Sequence, residues 1–416
     1  MHKEQSSQGA AALPGPLDGV RIIELCGFHA GPLAVEMLAE AGAEVIKIEG
    51  LPGGDPIRGA EGRVSKGRAA NTHNWSHEYY NRNKKSVALR LEDEAARQIV
   101  YRLVEKADVF VSNLREFSLK KKGLDYPALA RVNPRIIYAH GAGFGTRGPE
   151  AGRPALDLLG QAKGGVLSLV GDLDGYGMMA GYNPVDKTTA LLLAYGVLLA
   201  LRAKDRTGVG QHIETSLLAA GVYLSGTELS YYMGTQEMSP MMTRKNVGNP
   251  LRNTYRTRDG RWLVFAMSQG DRYWPEFCKA AGIEHLQNAP NFATMAARSK
   301  NRGEVIAALE KVFAEKTKDE WVGILSRHNL LWSVVQTLDE VATDAQVLEN
   351  GYVVKCPHQQ IQNVRGVGPL VRMDKTPLSV REPAPELGQH TEQVLLDVGK
   401  YSWEDLARFK EAGTII

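Results

Sequence analysis

The sequence predicts an α/β protein, a doubly wound parallel sheet followed by a smaller α+β region. Three observations carry that expectation. Between Val20 and Ser216 short β-branched runs alternate with helical patterns, and parallel strands need such crossover connections. From about residue 223 the alternation stops and a hairpin pattern takes over. The chain of 416 residues is also longer than one hydrophobic core ordinarily serves, so two domains are expected.

Val20-Arg21-Ile22-Ile23-Glu24-Leu25 reads as a buried strand. The loop Cys26-Gly27-Phe28-His29-Ala30-Gly31-Pro32 follows, then a helix from Leu33 to Ala41, a stop at Gly42 and a strand at 44–49. This is a βαβ unit, and the loop leaving its first strand lies where such sheets bind ligands. It lacks GxGxxG, so no dinucleotide fingerprint stands at the expected place. After a loop with Gly53-Gly54-Asp55-Pro56 come a strand at 86–89, a helix at 92–106 and a strand at 108–112 leading to Asn113. A helix at 126–132 and a strand at 135–139 continue the alternation.

Gly141 to Pro149 is rich in glycine, but Pro149, Gly152 and Pro154 stand where a phosphate-binding helix would have to begin. A short helix at 157–163, a strand-like run at 166–170, the most hydrophobic helix pattern (Ala190 to Ala203) and an alternating strand at 212–216 complete the first region. In the second region Thr254 to Met267 reads as a hairpin turning at Asp259-Gly260, with amphipathic helices such as Gly303 to Glu315. Leu387-Gly388-Gln389-His390-Thr391 introduces a last helix expected to pack back on the first domain.

Composition narrows the function classes. A net charge of +3 is too small to argue for nucleic acid or an acidic membrane surface. Cys26, Cys278 and Cys356 are far apart and without CxxC or His/Cys ligand spacing, against a disulfide framework or structural metal and for a reducing compartment. Residues 1–16 lack the apolar centre of a signal peptide, and no apolar stretch is expected to span a bilayer. The expected setting is cytoplasmic.

Asn183-Pro184-Val185-Asp186-Lys187 ends a loop rich in Gly, Met and Tyr and precedes the hydrophobic helix. Asp186 stands where an N-cap belongs, facing unpaired N–H groups and the positive end of the helix dipole, which favours a charged carboxylate. A cap alone explains it; a nucleophilic carboxylate is the sharper alternative.

The ordered set Pro16-Leu17-Asp18-Gly19, Ala30-Gly31-Pro32, Gly42-Ala43-Glu44, Asn83-Lys84-Lys85-Ser86, Asn133-Pro134-Arg135, Gly143-Phe144-Gly145, Thr207-Gly208-Val209-Gly210-Gln211 and Leu387-Gly388-Gln389-His390-Thr391 resembles the class III CoA-transferases. That family includes the 2-methylacyl-CoA racemases. The resemblance covers nearly the whole chain and implies a Rossmann-like large domain built from both chain ends, here 1–222 and 336–416, with a smaller α+β domain at 223–335. It also implies an interlocked homodimer, coenzyme A or acyl-CoA and a carboxylic acid as substrates, and no permanently bound cofactor; no metal site is expected, in line with the cysteine spacing. It assigns Asp186 as the catalytic carboxylate, His29 and Ala30 to the loop that holds CoA, and Leu89, Asn113, Lys121 and Phe144 to its lining. Gly248, in a reduced glycine-rich flap, is the candidate for closing over the site. A basic residue common in the family after the second strand is Gly50 here, and the racemase His before Asp157 is Leu156, which cannot move a proton.

The expected chemistry is transfer of CoA between acids through an aspartyl mixed anhydride and an aspartyl-CoA thioester, with backbone N–H groups near Asp186 stabilising the oxyanions. Racemisation and CoA binding without chemistry are the alternatives. Lys120, Lys121 and Lys122 are candidates for the CoA phosphates or a solvated run. Asp157 is a site hydrogen-bonder or a helix cap. Met178, Met179, Tyr182, Tyr231 and Tyr232 suggest an acyl pocket, a core or a dimer interface.

Overall fold

The computed structural model describes residues 14–59, 73–172, 175–176, 180–238, 243–358 and 361–416. Residues 1–13, Met178 and Met179 lie outside them. Its contacts divide the chain into two compact units, Met1–Val166, Met179–Thr235 and Ala345–Ile416 in the first, Leu167–Met178 and Gln236–Asp344 in the second. The texture of the sequence suggests junctions near 222 and 335 instead. The helix Gly226–Thr235, which carries Tyr231 and Tyr232, belongs to the first unit.

Six parallel strands form the sheet of the first unit: β1 (Arg21–Leu25), β2 (Glu44–Gly50), β3 (Lys84–Leu89), β4 (Val109–Ser112), β5 (Ile137–Ala142) and β6 (His212–Ser216). Their order in space is β3-β2-β1-β4-β5-β6, the order of a Rossmann-type sheet. Helices α1 (Ala30–Glu40), α2 (Trp75–Asn81), α3 (Glu94–Val104), α4 (Glu116–Lys121), α5 (Tyr126–Val132), α6 (Asp157–Lys163), α7 (Pro184–Thr207) and α8 (Leu217–Leu224) accompany it. The run at 166–170 is no strand: Val166–Leu169 forms a helical turn, a short apolar run being ambiguous in period.

Alternation along the strands separates two cores. Ile23, Ile46, Val87 and Phe110 pack with Ile99 and Leu103 of α3, whereas Ile22, Val45 and Val109 pack with Leu33 of α1 and Leu193 and Val197 of α7. Each such side chain contributes about 1.5–3 kcal/mol when fully buried, and both faces are covered as a parallel sheet requires. With 24 residues, α7 is long and apolar enough to cross a membrane, contrary to the sequence expectation. Its buried face packs on α1 and the sheet, as a core helix does.

Charges run through this sheet. Glu24 on β1 and Lys47 on β2 are register partners, both fully buried, with Lys47 Nζ 2.9 Å from Glu24 Oε1. Burial alone would lower the Lys47 pKa; Glu24, Asp55 and Glu49 overturn that and hold it above the usual lysine value. Further along β2, burial would raise the Glu49 carboxyl. The hydrogen bonds from Arg58 at 2.8 and 2.7 Å, with Lys47, bring it down to about 2.

A carboxyl depressed in the folded state stabilises above its unfolded pKa of 4.5 and loses that contribution as pH falls toward 2. The shift is worth on the order of 3 kcal/mol. Glu49→Gln should therefore lower the urea midpoint at neutral pH and shrink its fall between about pH 5 and 3. Equal slopes in the two proteins would refute the coupling.

The C-terminal segment seals the sheet edge. Ser86 N–H donates to His390 Nδ1 at 3.2 Å and Ala88 N–H to Thr391 Oγ1 at 3.1 Å, so β3 keeps fewer open donors. The helix Thr391–Asp397 then lies against β3.

The second unit holds a three-stranded antiparallel sheet, with Trp262–Phe265 between Thr254–Arg256 and Trp332–Val334. Phe265, Phe277, Phe313 and Trp321 form its aromatic core. Arg298, fully buried, stacks over Trp274 at 4.6 Å and pairs with Asp271 at 2.6 Å.

Candidate active site

Strand order reverses between β1 and β4, and the loops leaving these two strands build one wall of the site. Asn113, just past β4, clasps the β1 loop: Oδ1 accepts the Gly27 N–H at 2.9 Å and Nδ2 donates to the Gly27 carbonyl at 2.8 Å. Asp55 holds the next residue. Its Oδ1 accepts the Phe28 N–H at 3.0 Å while Oδ2 meets Lys47 Nζ at 2.8 Å. Burial would raise the Asp55 pKa, but Lys47 and the N–H groups of Ile57 and Phe28 outweigh it and the net direction is down.

Phe28 itself has φ of 63°, a left-handed conformation that costs a bulky residue about 1–3 kcal/mol and so relies on these anchors. Gly31 is required by space: a Cβ would lie 2.6 Å from Cys26 Sγ and 3.0 Å from Asn113 Cγ.

The start of α7 builds the other wall, and here the structure corrects the sequence expectation. The helix begins at Pro184, not Ala190, and Asp186 stands inside its first turn, not at its cap. Asn183 at the cap position is left-handed (φ 54°, ψ 57°), which asparagine tolerates, and its side chain makes no cap bond. Pro184 has no N–H, so the first free donors are those of Val185 and Asp186. Asp157, buried at the start of α6, takes both on Oδ1 at 2.8 and 2.9 Å, while its Oδ2 accepts from Gln161.

These two N–H groups are thus already bonded and are not available to an oxyanion, contrary to the expectation. The approach of α6 rests on Gly160, where a Cβ would come within 2.6 Å of Val185 Cγ1.

With both walls in place, Asp186 Oδ2 lies 3.3 Å from His29 Nδ1, and the Asp186 side chain is 14% exposed, open enough to meet a ligand. Asn183 Nδ2 lies 3.1 Å from the same ring nitrogen. One imidazole nitrogen either donates or accepts, so the contacts are alternatives. Protonated at Nδ1, His29 holds Asp186; bare at Nδ1, it accepts from Asn183 and frees the carboxylate. The His29 ring is set by Tyr80 of α2, 4.9 Å away.

These groups open onto a cavity of ≈ 1070 Å³ with Pro154, Leu156, Leu158 and Leu159 on its apolar side. Four of the residues expected from sequence line it together: Asp186, His29, Ala30 and Asn113. The other four fall elsewhere. Leu89, fully buried at the end of β3, belongs to the hydrophobic core. Phe144 is buried under Arg153, 5.5 Å from its ring, and does not line the cavity. Lys121 is exposed at the end of α4, off the lining, as is Lys120; Lys122 pairs with Glu92 at 2.8 Å. Gly248 belongs to the second unit, where a Cβ would meet nothing closer than Ser299 Oγ at 3.9 Å, so no contact in that unit calls for glycine. Tyr182, Tyr231 and Tyr232 are exposed and off the lining.

Residue type and spacing do not point to the roles of Asn183, Asp55, Arg115 and Arg153. The two arginines line the cavity and are cations of the kind phosphates attract. A loop cation at such a position carries no periodic signal. Asp157 is visible in the sequence as a helix-starting acid, but its partners lie 28 and 29 residues away.

A parallel α/β sheet whose switch point presents a carboxylate–imidazole pair to a large cavity is the architecture of a ligand-binding enzyme. The model of CoA-transferase family III matches residues 17–391, and the chain belongs to that family. It is 31% identical to the (R)-2-hydroxy-4-methylpentanoate CoA-transferase of Clostridioides difficile over 96% of this chain and 99% of that one. To the succinyl-CoA:glutarate CoA-transferase of Mus musculus it is 32% identical, covering 96% and 90%. A CAIB/BAIF family protein from Brucella suis superposes with a TM-score of 0.83 at 28% identity, covering 93% of this chain and 100% of that structure. The protein is an enzyme of the CoA-transferase type.

Proposed function

We propose that this enzyme moves CoA between carboxylic acids with Asp186 as the nucleophile. The observation that carries the proposal is the Asp186–His29 pair at 3.3 Å, facing the switch-point cavity. The names of the two curated relatives, each a CoA-transferase of a carboxylic acid, support the reaction class. An Asp186 oxygen attacks the acyl-CoA carbonyl; a C–O bond forms, the C–S bond breaks, and CoA leaves as thiolate. The thiolate attacks the Asp186 carbonyl of the mixed anhydride, forming aspartyl-CoA and expelling the first acid as carboxylate.

The incoming carboxylate attacks aspartyl-CoA, and the thiolate then attacks its acyl carbon, returning Asp186 as a carboxylate. With the Val185 and Asp186 N–H groups committed to Asp157, His29 and the Asn183 amide serve as donors to the oxyanions in this proposal. Leu156 on the cavity wall supplies no proton-transfer group, which favours transfer over racemisation.

The enzyme works as a homodimer in this proposal. Leu191, Tyr195, Leu198 and Leu199 on α7 and Tyr223 on α8 are 44–70% exposed, an apolar face that a second copy would cover.

The proposed sequence of bonds makes an isotopic prediction. The bridging oxygen of the second anhydride comes from the incoming acid and stays on Asp186. Turnover with an acceptor acid labelled in its carboxylate with oxygen-18 should therefore add label to the peptide containing Asp186. Peptide mass spectrometry after many turnovers reads this; label absent from that peptide would refute the anhydride.

A further inference from the structure

A second cluster lies at the start of α2, joined to the C-terminal part of the first unit. His73 Nε2 is 3.3 Å from Glu78 Oε2 and 3.3 Å from His358 Nε2, and the three donor atoms lie within 4.8 Å of one another. We propose that His73, Glu78 and His358 bind a divalent transition-metal ion of the zinc class, with the remaining position open to water.

The spacing fits. Bonds of 2.0–2.1 Å at tetrahedral angles set neighbouring donors about 3.3–3.4 Å apart. Two imidazoles and one carboxylate, with a position left open, are also a recurring zinc donor set. The Glu78 carboxylate is buried and fixed in orientation, because its Oε1 accepts the Ala384 N–H at 3.1 Å and leaves Oε2 to face the rings. Trp75 packs edge-on against His73 at 4.7 Å and screens one side, while His73 at 29% exposure leaves a way in.

Two contacts ask opposite things of His73 Nε2. His358 Nδ1 accepts the Ile361 N–H at 3.1 Å, so its proton sits on Nε2 and points at His73 Nε2. His73 Nε2 must then be bare, and its lone pair also faces the Glu78 oxygen, acceptor against acceptor. A cation at the centre satisfies all three donors. Loading it shifts the His358 proton to Nδ1 and exchanges the Ile361 hydrogen bond for a coordinate bond. The ion would tie the segment around His358 to α2, the helix whose Tyr80 packs tilted against the His29 ring.

Tag-free full-length enzyme, stripped with chelator and titrated with zinc, should take up one ion per chain with a rise in melting temperature. Cobalt(II) in its place should give the intense visible bands of a four-coordinate site without a thiolate charge-transfer band. His73→Ala and His358→Ala should each weaken zinc binding by at least about tenfold and remove the melting shift. His285→Ala, an exposed histidine in the second unit, should change neither. Absence of stoichiometric uptake by the wild type, or unaltered binding in a folded His73→Ala/His358→Ala double variant, overturns the site. Should those variants fail to fold, the wild-type cobalt spectrum decides: weak six-coordinate bands or a thiolate band refute it.

Discussion

Asp186→Ala should lower exchange of labelled acid into acyl-CoA by roughly 10⁴–10⁶-fold, the scale seen when a nucleophile that works with its neighbours is removed. Binding of CoA should stay within a few-fold of wild type, because the Asp186 side chain touches only one edge of a large cavity. Folding should be intact for a specific reason: the side chain that caps α7 is Asp157, so removing the Asp186 carboxylate leaves the helix start satisfied. The isosteric Asp186→Asn should be equally inactive, since an amide cannot form the anhydride. Exchange within tenfold of wild type in either variant would end the assignment of Asp186 as nucleophile.

The second large effect is expected at Asp55, far from the chemistry in sequence. Asp55→Ala leaves buried Lys47 with Glu24 as its remaining close carboxylate and removes the acceptor of the Phe28 N–H. Breaking a buried pair from one side costs about 3–5 kcal/mol, read as a lower urea midpoint. Asp55→Asn separates stability from positioning, because it keeps an acceptor for Phe28 while losing the charge. It should fold with part of that penalty and lose about 10–100-fold in kcat/KM for acyl-CoA as the His29 loop loosens. Wild-type stability together with wild-type kinetics in the Asn variant would show that the network does not hold the loop.

Much of the first sheet is legible in the sequence, because most strands hold a short apolar run between turn signals, 212–216 alternates, and helical patterns lie between them. The helix start at Pro184 is not, since Pro184 to Thr189 is too polar to continue the apolar pattern of 190–203. The cap is less legible still: an acid beside a helix start suggests itself, yet Asp157 reaches across space from another helix. Among the site residues, family resemblance could place His29, Ala30 and Asn113 in the loops leaving strands and Asp186 at a helix start, where the fold fixes position. Leu89 and Phe144 lie near the same ends but face the interior, and position along the chain does not reveal the direction of a side chain. Asn113 lines the cavity as the resemblance implies, but its amide is spent on Gly27 and not left free.

That clasp has an energetic consequence. Because both amide bonds of Asn113 go to one residue, the segments leaving β1 and β4 cannot part without breaking two hydrogen bonds at once. Two hydrogen bonds of about 0.5–1.5 kcal/mol each add to the cost of any opening in which these segments separate. A displacement of residues 152–159, 180, 181 or 183, which also line the cavity, leaves the clasp intact and does not incur that cost.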